Sequence, residues 1–469
     1  MAKSHVSTDF GSTSPLLAAI LIESEDEVKN ILRHGPINND ENVLGQSALH
    51  IAVSRPQHLN RLLEAGFDVN ARDWNGRTPL MYAAVAGCSD VAIELLKGGA
   101  DIWMKDILFC AQDFIQYAVF EDNWPLIMDV VDFFCHHPAF SPVEKQALLD
   151  QCIILWAGSA CKTRNSRHFS SLLQWGANPE IRFNDCGWEW RPETSSNTLL
   201  HLLSKASDID DLVKSGFASF NHCNSSGASP LMVITELRNT ALIQKCLAIG
   251  CEVNVQDIGG RTALHTCIET MWDLWVDLHM CYQDYRLTSL ECAQLLLDNG
   301  SDPDLGDSCR CACSPSGYTP GNILLKERRY ISEITQTYPP SQYTWSLEYL
   351  RVLRLTKGTG LARSYLLDLI RLVKFEELGL THTCCRKNQS RAPWVNIEPE
   401  DVQEIQDEES EIINQLNSQM EGVGKIMDAD LYDVWMDQLA ILLKIRAAGS
   451  WRCPEETRHD ARKHFSQVS

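Results

Sequence analysis

The phrase Asp73-Trp74-Asn75-Gly76-Arg77-Thr78-Pro79-Leu80-Met81 opens a segment that closes at Leu95-Leu96-Lys97-Gly98-Gly99-Ala100-Asp101, and versions of it return along the chain. Self-similarity constrains a fold more than any single motif, because each copy must build one unit and the units must bury one another. The copies align at Ser47-Ala48-Leu49-His50, Thr78-Pro79-Leu80-Met81, Thr198-Leu199-Leu200-His201, Ser229-Pro230-Leu231-Met232 and Thr262-Ala263-Leu264-His265. Ser14-Pro15-Leu16-Leu17 and Tyr318-Thr319-Pro320 are weaker first and last members. Ser47 to Thr78 is 31 residues and Ser229 to Thr262 is 33.

Local chemistry says what each copy builds. A Ser or Thr hydroxyl accepts a bond from an orphan amide at a helix start, and Pro79 or Pro230 fits the first helical position, where no donor is needed. Leu80, Ala83 and Ala84 then fall at i, i+3 and i+4, an apolar stripe with small residues that lets a second helix approach closely. Gly66, Gly99, Gly176, Gly216, Gly250 and Gly300 each follow a leucine or valine by three residues, where that second helix must end in a left-handed cap. Trp74-Asn75-Gly76, Ser225-Ser226-Gly227 and Ile258-Gly259-Gly260 supply the positive φ of a tight turn and should project as fingers.

The period and the helix-opening phrase resemble the ankyrin repeat over residues 45 to 106 and 196 to 310. The resemblance implies an all-α fold: a solenoid of stacked helix-turn-helix units with short hairpin loops, here followed by a C-terminal helical region. It also implies a structural role for His50, His201 and His265, each at the fourth position of its phrase, where the imidazole bonds the neighbouring turns. Length alone suggests about three ordinary domains, but repeat stacking favours one elongated body.

The expected organisation runs from a disordered N-terminus (1–13) to N-terminal repeats (14–106), then to degenerate helical repeats (107–195). In that third stretch the frame is lost, but apolar clusters at Phe109 to Phe120, Leu126 to Phe134 and Leu148 to Trp156 still read as helices; a separate inserted domain is the other reading. Repeats resume over 196–330. Ser229 to Gly250 takes 21 residues whereas Thr262 to Gly300 takes 38, so an excess of 17 lies between the two helices of that unit, near 270–287. It contains Trp272, Trp275, Tyr282 and Tyr285, either an interaction hot spot or a helix extension. A helical extension (331–385), a linker and acidic segment (386–411), C-terminal helices (412–448) marked by Leu431, Val434, Trp435, Leu439, Leu442 and Leu443, and a disordered tail (449–469) complete the plan.

Most of the 18 cysteines sit singly in helical patterns, as Cys246, Cys267 and Cys292 do, where cysteine behaves as a small hydrophobe. Two clusters differ. Cys309, Cys311 and Cys313 alternate, and in an extended segment alternate side chains share a face; with His382, Cys384 and Cys385 they make a candidate structural zinc set that would pin the last repeat to the helices beyond it. Reduced thiols and a redox-linked disulfide are the alternatives, and no other cofactor is expected. These same segments are similar to those of a group of filamentous-fungal ankyrin proteins without assigned biochemical function, with Tyr318 standing where that likeness would place another cysteine. That likeness implies a fold and an interaction role, and no reaction.

Catalytic motifs are missing: there is no Gly-x-Ser-x-Gly elbow, no phosphate-binding Gly-x4-Gly-Lys-Ser/Thr loop and no His-Glu-x2-His helix. The net charge of −21 and pI near 5.1 repel phosphate backbones, so nucleic acid is not an expected partner, and a neutral or basic protein is. No run approaches the roughly 18 apolar residues that span a bilayer, and the N-terminus lacks the apolar core of a secretory signal, so a cytoplasmic or nuclear protein is expected. The expected function is a non-enzymatic interaction scaffold binding in the groove of fingers and first helices through Arg72, Trp74, Asn75, Met81, Tyr82 and Met104. A substrate-recruiting subunit of a ubiquitin ligase and a diverged enzyme with a site between 107 and 195 are the alternatives.

Overall fold

The computed structural model describes residues 14–33, 41–108, 111–158, 165–183, 196–270, 282–309, 311–326, 342–380 and 399–426. The chain divides into two compact units, the first comprising residues 1–190 and 207–218 and the second 191–206 and 219–469.

In the first unit, helix pairs follow the repeat frame: Pro15–Leu21 with Glu25–Leu32, Ala48–Ala52 with Leu59–Glu64, and Pro79–Ala86 with Ser89–Lys97. The helix starts are chosen by side chains. The Ser14 hydroxyl accepts the Leu17 amide at 3.2 Å and the Thr78 hydroxyl the Met81 amide at 3.4 Å, with proline next in both. Leu80, Ala83 and Ala84 are buried, as are Val91, Ala92 and Leu95 opposite them, so the small residues do admit the second helix closely. Each fully buried leucine contributes about 2 kcal/mol of hydrophobic stabilisation. The closing glycines Gly66, Gly99, Gly176, Gly216, Gly250 and Gly300 all have φ between 83° and 101°.

The frame-less central stretch is also helical: Phe114–Phe120, Trp124–His136, Pro142–Gly158 and Ser166–Gln174. The first two make a diverged repeat, its Asp113 side chain accepting the Gln116 amide while the Gln116 side chain accepts the Asp113 amide. Apolar side chains fill this stretch, with the Trp156 and Phe169 rings stacked at 4.5 Å and Phe134 against Phe140 at 3.5 Å. Residues 109–110 and 184–195 lie outside the described residues.

The second unit repeats the pattern with Leu199–Leu202, then Pro230–Glu236 with Thr240–Ala248, and Ala263–Glu269 with Tyr282–Asp298. The last helix is 17 residues long against nine for its counterpart Thr240–Ala248, so the later part of the 270–287 excess lengthens the second helix; Trp272 and Trp275 lie outside the described residues. Pro320–Lys326 is the first helix of the final, partial repeat. Gln342–Lys357 and Thr359–Glu377 then pack on it through Tyr349, Leu350, Leu353, Tyr365, Leu366 and Leu369. The acidic stretch forms Pro399–Glu408, and Ser410–Ile426 lies along Thr359–Glu377, anchored by buried Leu416 and by Arg363 donating to the Gly424 carbonyl at 2.8 Å. The Leu431 to Leu443 helix expected from the sequence lies outside the described residues.

Candidate protein-binding face

Each finger among the described residues is built on one Asx residue. Asn42, Asp73 and Asp106 in the first unit, and Asn224, Asp257 and Asp307 in the second, donate their amides to a closing carbonyl (Gln46, Arg77, Gln112, Ala228, Arg261 and Tyr318) at 2.9 to 3.1 Å. Each side-chain oxygen accepts the amide of that closing residue at 2.8 to 3.0 Å, and those of Asn42, Asp73, Asp106, Asn224 and Asp307 also accept one near the tip at 2.9 to 3.3 Å. Short Asx side chains satisfy their own backbone in this way, which is why they nucleate turns. Within each unit the tip amide of one finger donates to the finger before it: Trp74 to Leu44, Ile107 to Asn75, Ile258 to Ser226 and Ser308 to Gly259, at 2.7 to 3.1 Å. The approach is so close that a Cβ on Gly45 would meet the Trp74 ring at 2.3 Å, and one on Gly76 would meet the Ile107 amide at 2.9 Å.

The three phrase histidines fasten fingers to helices. Nδ1 of His50, His201 and His265 accepts the amide of Ser47, Thr198 and Thr262, and Nε2 donates to the finger-closing carbonyls of Arg77, Ala228 and Tyr318 at 2.9 to 3.1 Å. This is the structural role that the repeat resemblance implied. Burial drives His50 down to about 4, and His265 is lowered by the same cause. A polar cluster, buried at Asp73 and Gln46 and half-buried at Arg77 and Tyr82, backs the second finger. Asp73 accepts from Arg77 Nε at 3.0 Å and from the Tyr82 hydroxyl at 2.9 Å, while Gln46 donates to the same hydroxyl at 2.6 Å. Burial first, then the Asp73 contact, raises Tyr82, which stands at about 12 with the Gln46 bond acting against the rise. Tyr82 is therefore a neutral donor at any physiological pH.

What remains for a partner are the tips. Trp74 is 68 % and Ile107 67 % exposed, and Val43, Leu44 and Leu108 are also exposed, so three successive fingers present apolar side chains. Of the residues singled out from sequence, Trp74, Asn75 and Arg72 are exposed and Tyr82 and Met104 half-buried. Arg72 also donates to the Lys105 carbonyl of the next finger. Met81 needs correcting: at 1 % exposure it belongs to the core, and its sulfur accepts the Thr78 amide at 3.4 Å, standing where three of the other repeats place histidine. It cannot touch a partner. Val43, Leu44, Ile107 and Leu108 were not read as contacts; the recurring Asx ahead of each tip was the available signal, obscured at Asp106 because its finger is two residues longer than the Asp73 finger (6 against 4).

The Cys-x-Cys-x-Cys segment lies inside the last finger, between Asp307 and its closing residue Tyr318, 11 positions on. The expected extended strand is corrected here. The Ser314 amide donates to the Cys311 carbonyl at 2.9 Å, a reverse turn, so alternation no longer places the three sulfurs on one face. Cys311 and Cys313 are buried and Cys309 is half-buried. Cys313 Sγ lies 3.0 Å from the Tyr318 hydroxyl, so the tyrosine found in place of a cysteine is the sulfur's neighbour. Among the described residues no group of three His, Cys, Asp or Glu side chains is arranged to hold a metal; His382, Cys384 and Cys385 lie outside them.

The construction of these units, and comparison with known proteins, agree on the class: the chain carries ankyrin repeats, and residues 16–106 match the family model for ankyrin repeats in three copies. Among curated proteins it is similar to Ankyrin repeat and SOCS box protein 6 of Pongo abelii, 37 % identical over 95 residues, 18 % of this chain and 22 % of that one. It is 24 % identical over 267 residues to the NF-kappa-B inhibitor zeta of Bos taurus, covering 55 % of this chain and 28 % of the relative. It is also 33 % identical over 104 residues to glycerophosphocholine phosphodiesterase gde1 of Schizosaccharomyces pombe, 21 % of this chain and 9 % of that enzyme. The matched stretch thus spans about a fifth of the first of these relatives. No helix among the described residues is long and apolar enough to cross a membrane.

Proposed function

We propose that the chain is a non-enzymatic scaffold that binds a neutral or basic protein partner across the fingertips of its first unit. The row of exposed apolar tips, Val43, Leu44, Trp74, Ile107 and Leu108, carries this reading. Large exposed apolar side chains on a backbone already fixed by hydrogen bonds are the economical way to bind, since little entropy remains to be lost. Arg72, Asn75, Tyr82 and Met104 border the row, and the acidic chain favours a basic rim on the partner. The test compares the wild-type chain with a Trp74→Ala, Ile107→Ala variant, each purified from the native host with chemical cross-linking. The expected result is a protein cross-linked near the tips of the wild type and lost from the variant, whose circular dichroism is unchanged. Retention of the same partners by the variant overturns the assignment.

A second reading, the substrate-recruiting subunit of a ubiquitin ligase, is favoured by one observation: a relative sharing the repeats is named for a SOCS box. Ligase subunits among the proteins that survive the double substitution support it. A diverged enzyme finds less support, since the described helices of the central stretch are packed with apolar side chains such as Ile127, Val130, Cys152, Ile153 and Trp156.

A further inference from the structure

In the first three repeats most cations are paired within the chain: Lys29, Arg55, Arg61, Arg77 and Lys97 each meet a carboxylate at 2.7 to 3.3 Å. Arg72 and Lys105 are exposed and meet none among the described residues. Each stands one residue ahead of a finger-founding aspartate, Asp73 or Asp106. The carboxylates around them are committed to their own backbone. Asp68 accepts the Asn70 amide and Asp101 the Trp103 amide, both at 2.9 Å, while Asp106 accepts the Leu108 and Gln112 amides and the Tyr117 hydroxyl. Arg72 reaches across to the next finger, where its Nη2 donates to the Lys105 carbonyl. A guanidinium and an ammonium-bearing residue thus stand together two positions ahead of the tip residue Ile107, with most of the guanidinium's donors left over.

The apolar tips beside these cations are already in place. A Cβ on Gly76 would meet Ile107 Cγ2 at 2.9 Å, and one on Gly45 would run into the Trp74 ring, so each side chain leans on the finger before it while staying largely exposed. Little entropy is lost in covering groups so ordered. Covering them also strips water from Arg72 and Lys105, which is costly for a cation unless the partner brings an opposite charge.

We propose that the partner segment seated on these fingers is acidic as well as apolar: aspartate or glutamate side chains face Arg72 and Lys105, and large apolar side chains cover Trp74 and Ile107. This rests on the docking face proposed above and adds the chemistry of what fills it. The guanidinium fork suits a carboxylate taken bidentately, and the lysine a second one beside it. The net charge of −21 still favours a partner that is neutral or basic as a whole, because that field acts during approach, whereas charges in contact are decided locally.

A random-peptide library displayed on phage and selected on the full-length chain is the probe. The expected result is enrichment of peptides that combine Asp or Glu with Trp, Phe, Leu or Ile. Synthetic copies should bind about tenfold more weakly to Arg72→Ala, Lys105→Ala and undetectably to Arg72→Glu, Lys105→Glu, with circular dichroism unchanged in both. A carbodiimide, which joins an amine directly to a carboxylate, should couple these peptides to Lys105. Enriched peptides that are basic, or that bind the charge-reversed chain as well as the wild type, overturn the proposal; if they are nevertheless lost from Trp74→Ala, Ile107→Ala, the docking face stands and only its chemistry is wrong. Peptides indifferent to both pairs of substitutions remove the docking face as well, and a selection that enriches nothing overturns the proposal outright.

Discussion

His50 has to be uncharged for its cap to exist, because Nδ1 accepts the Ser47 amide while Nε2 donates to the Arg77 carbonyl. Its value falls from 6.5 in the unfolded chain to about 4 in the fold. The folded state therefore resists protonation, and this contribution is complete above pH 6.5 and lost progressively as the pH falls toward 4. The span corresponds to about 3 kcal/mol. Urea unfolding at pH 7.5 and pH 4.5 should show the wild type losing more stability on acidification than a His50→Gln variant; equal losses would contradict the assignment. At pH 7.5, His50→Gln should cost about 1 kcal/mol or less and His50→Ala about 2, since the glutamine at 116 already performs the same capping. Asp73→Ala removes the acceptor for the Asn75 and Arg77 amides, the Arg77 guanidinium and the Tyr82 hydroxyl, and should cost about 3 kcal/mol, against about 1 for Asp73→Asn, because asparagine holds the same place at 42 and 224. The role of the histidines was legible because their spacing from the cap is fixed. Met81 was misjudged because side-chain chemistry alone did not distinguish a sulfur capping its own helix from one facing a groove.

Among the elements, the fingers decide the register of the stack. Gly76→Ala combines a disfavoured φ of +77° with a Cβ only 2.9 Å from the Ile107 amide, and should lower stability by about 2 kcal/mol. Proton exchange at the Ile107 amide should speed up with it; unchanged exchange would show that the two fingers are not coupled. Helix starts and stops were readable wherever Ser/Thr-Pro-Leu and a closing glycine kept their spacing, as at Thr78 to Gly99. The excess after Glu269 could be assigned to one unit because both ends of that unit were recognisable, and its later part, from Tyr282, belongs to the second helix. The cysteine segment was not, since Asp307 and Tyr318 recognise each other through backbone and side-chain bonds that leave no periodic trace, and a reverse turn at Cys311 replaces the alternation on which a shared sulfur face depended.

For the molecule as a whole, the charge of −21 sets conditions that no single contact does. Self-repulsion among carboxylates is screened within about 10 Å at 0.1 M salt, so Tm should rise by a few degrees between 20 mM and about 300 mM NaCl, while association with a basic partner should slow by about tenfold or more over the same range. A rate indifferent to salt would mean that the tips act through apolar contact alone. The six Asx-founded fingers among the described residues close with the same bonds whether their ends lie 4, 6 or 11 positions apart. Their ends are thus fixed anchor points between which foreign sequence is accommodated without shifting any helix. A peptide tag spliced between the exposed Pro315 and Ser316 would be displayed at a defined height above the repeats, and the same tolerance gives evolution a place to lengthen one loop at a time and try new ligands while the scaffold beneath is inherited intact.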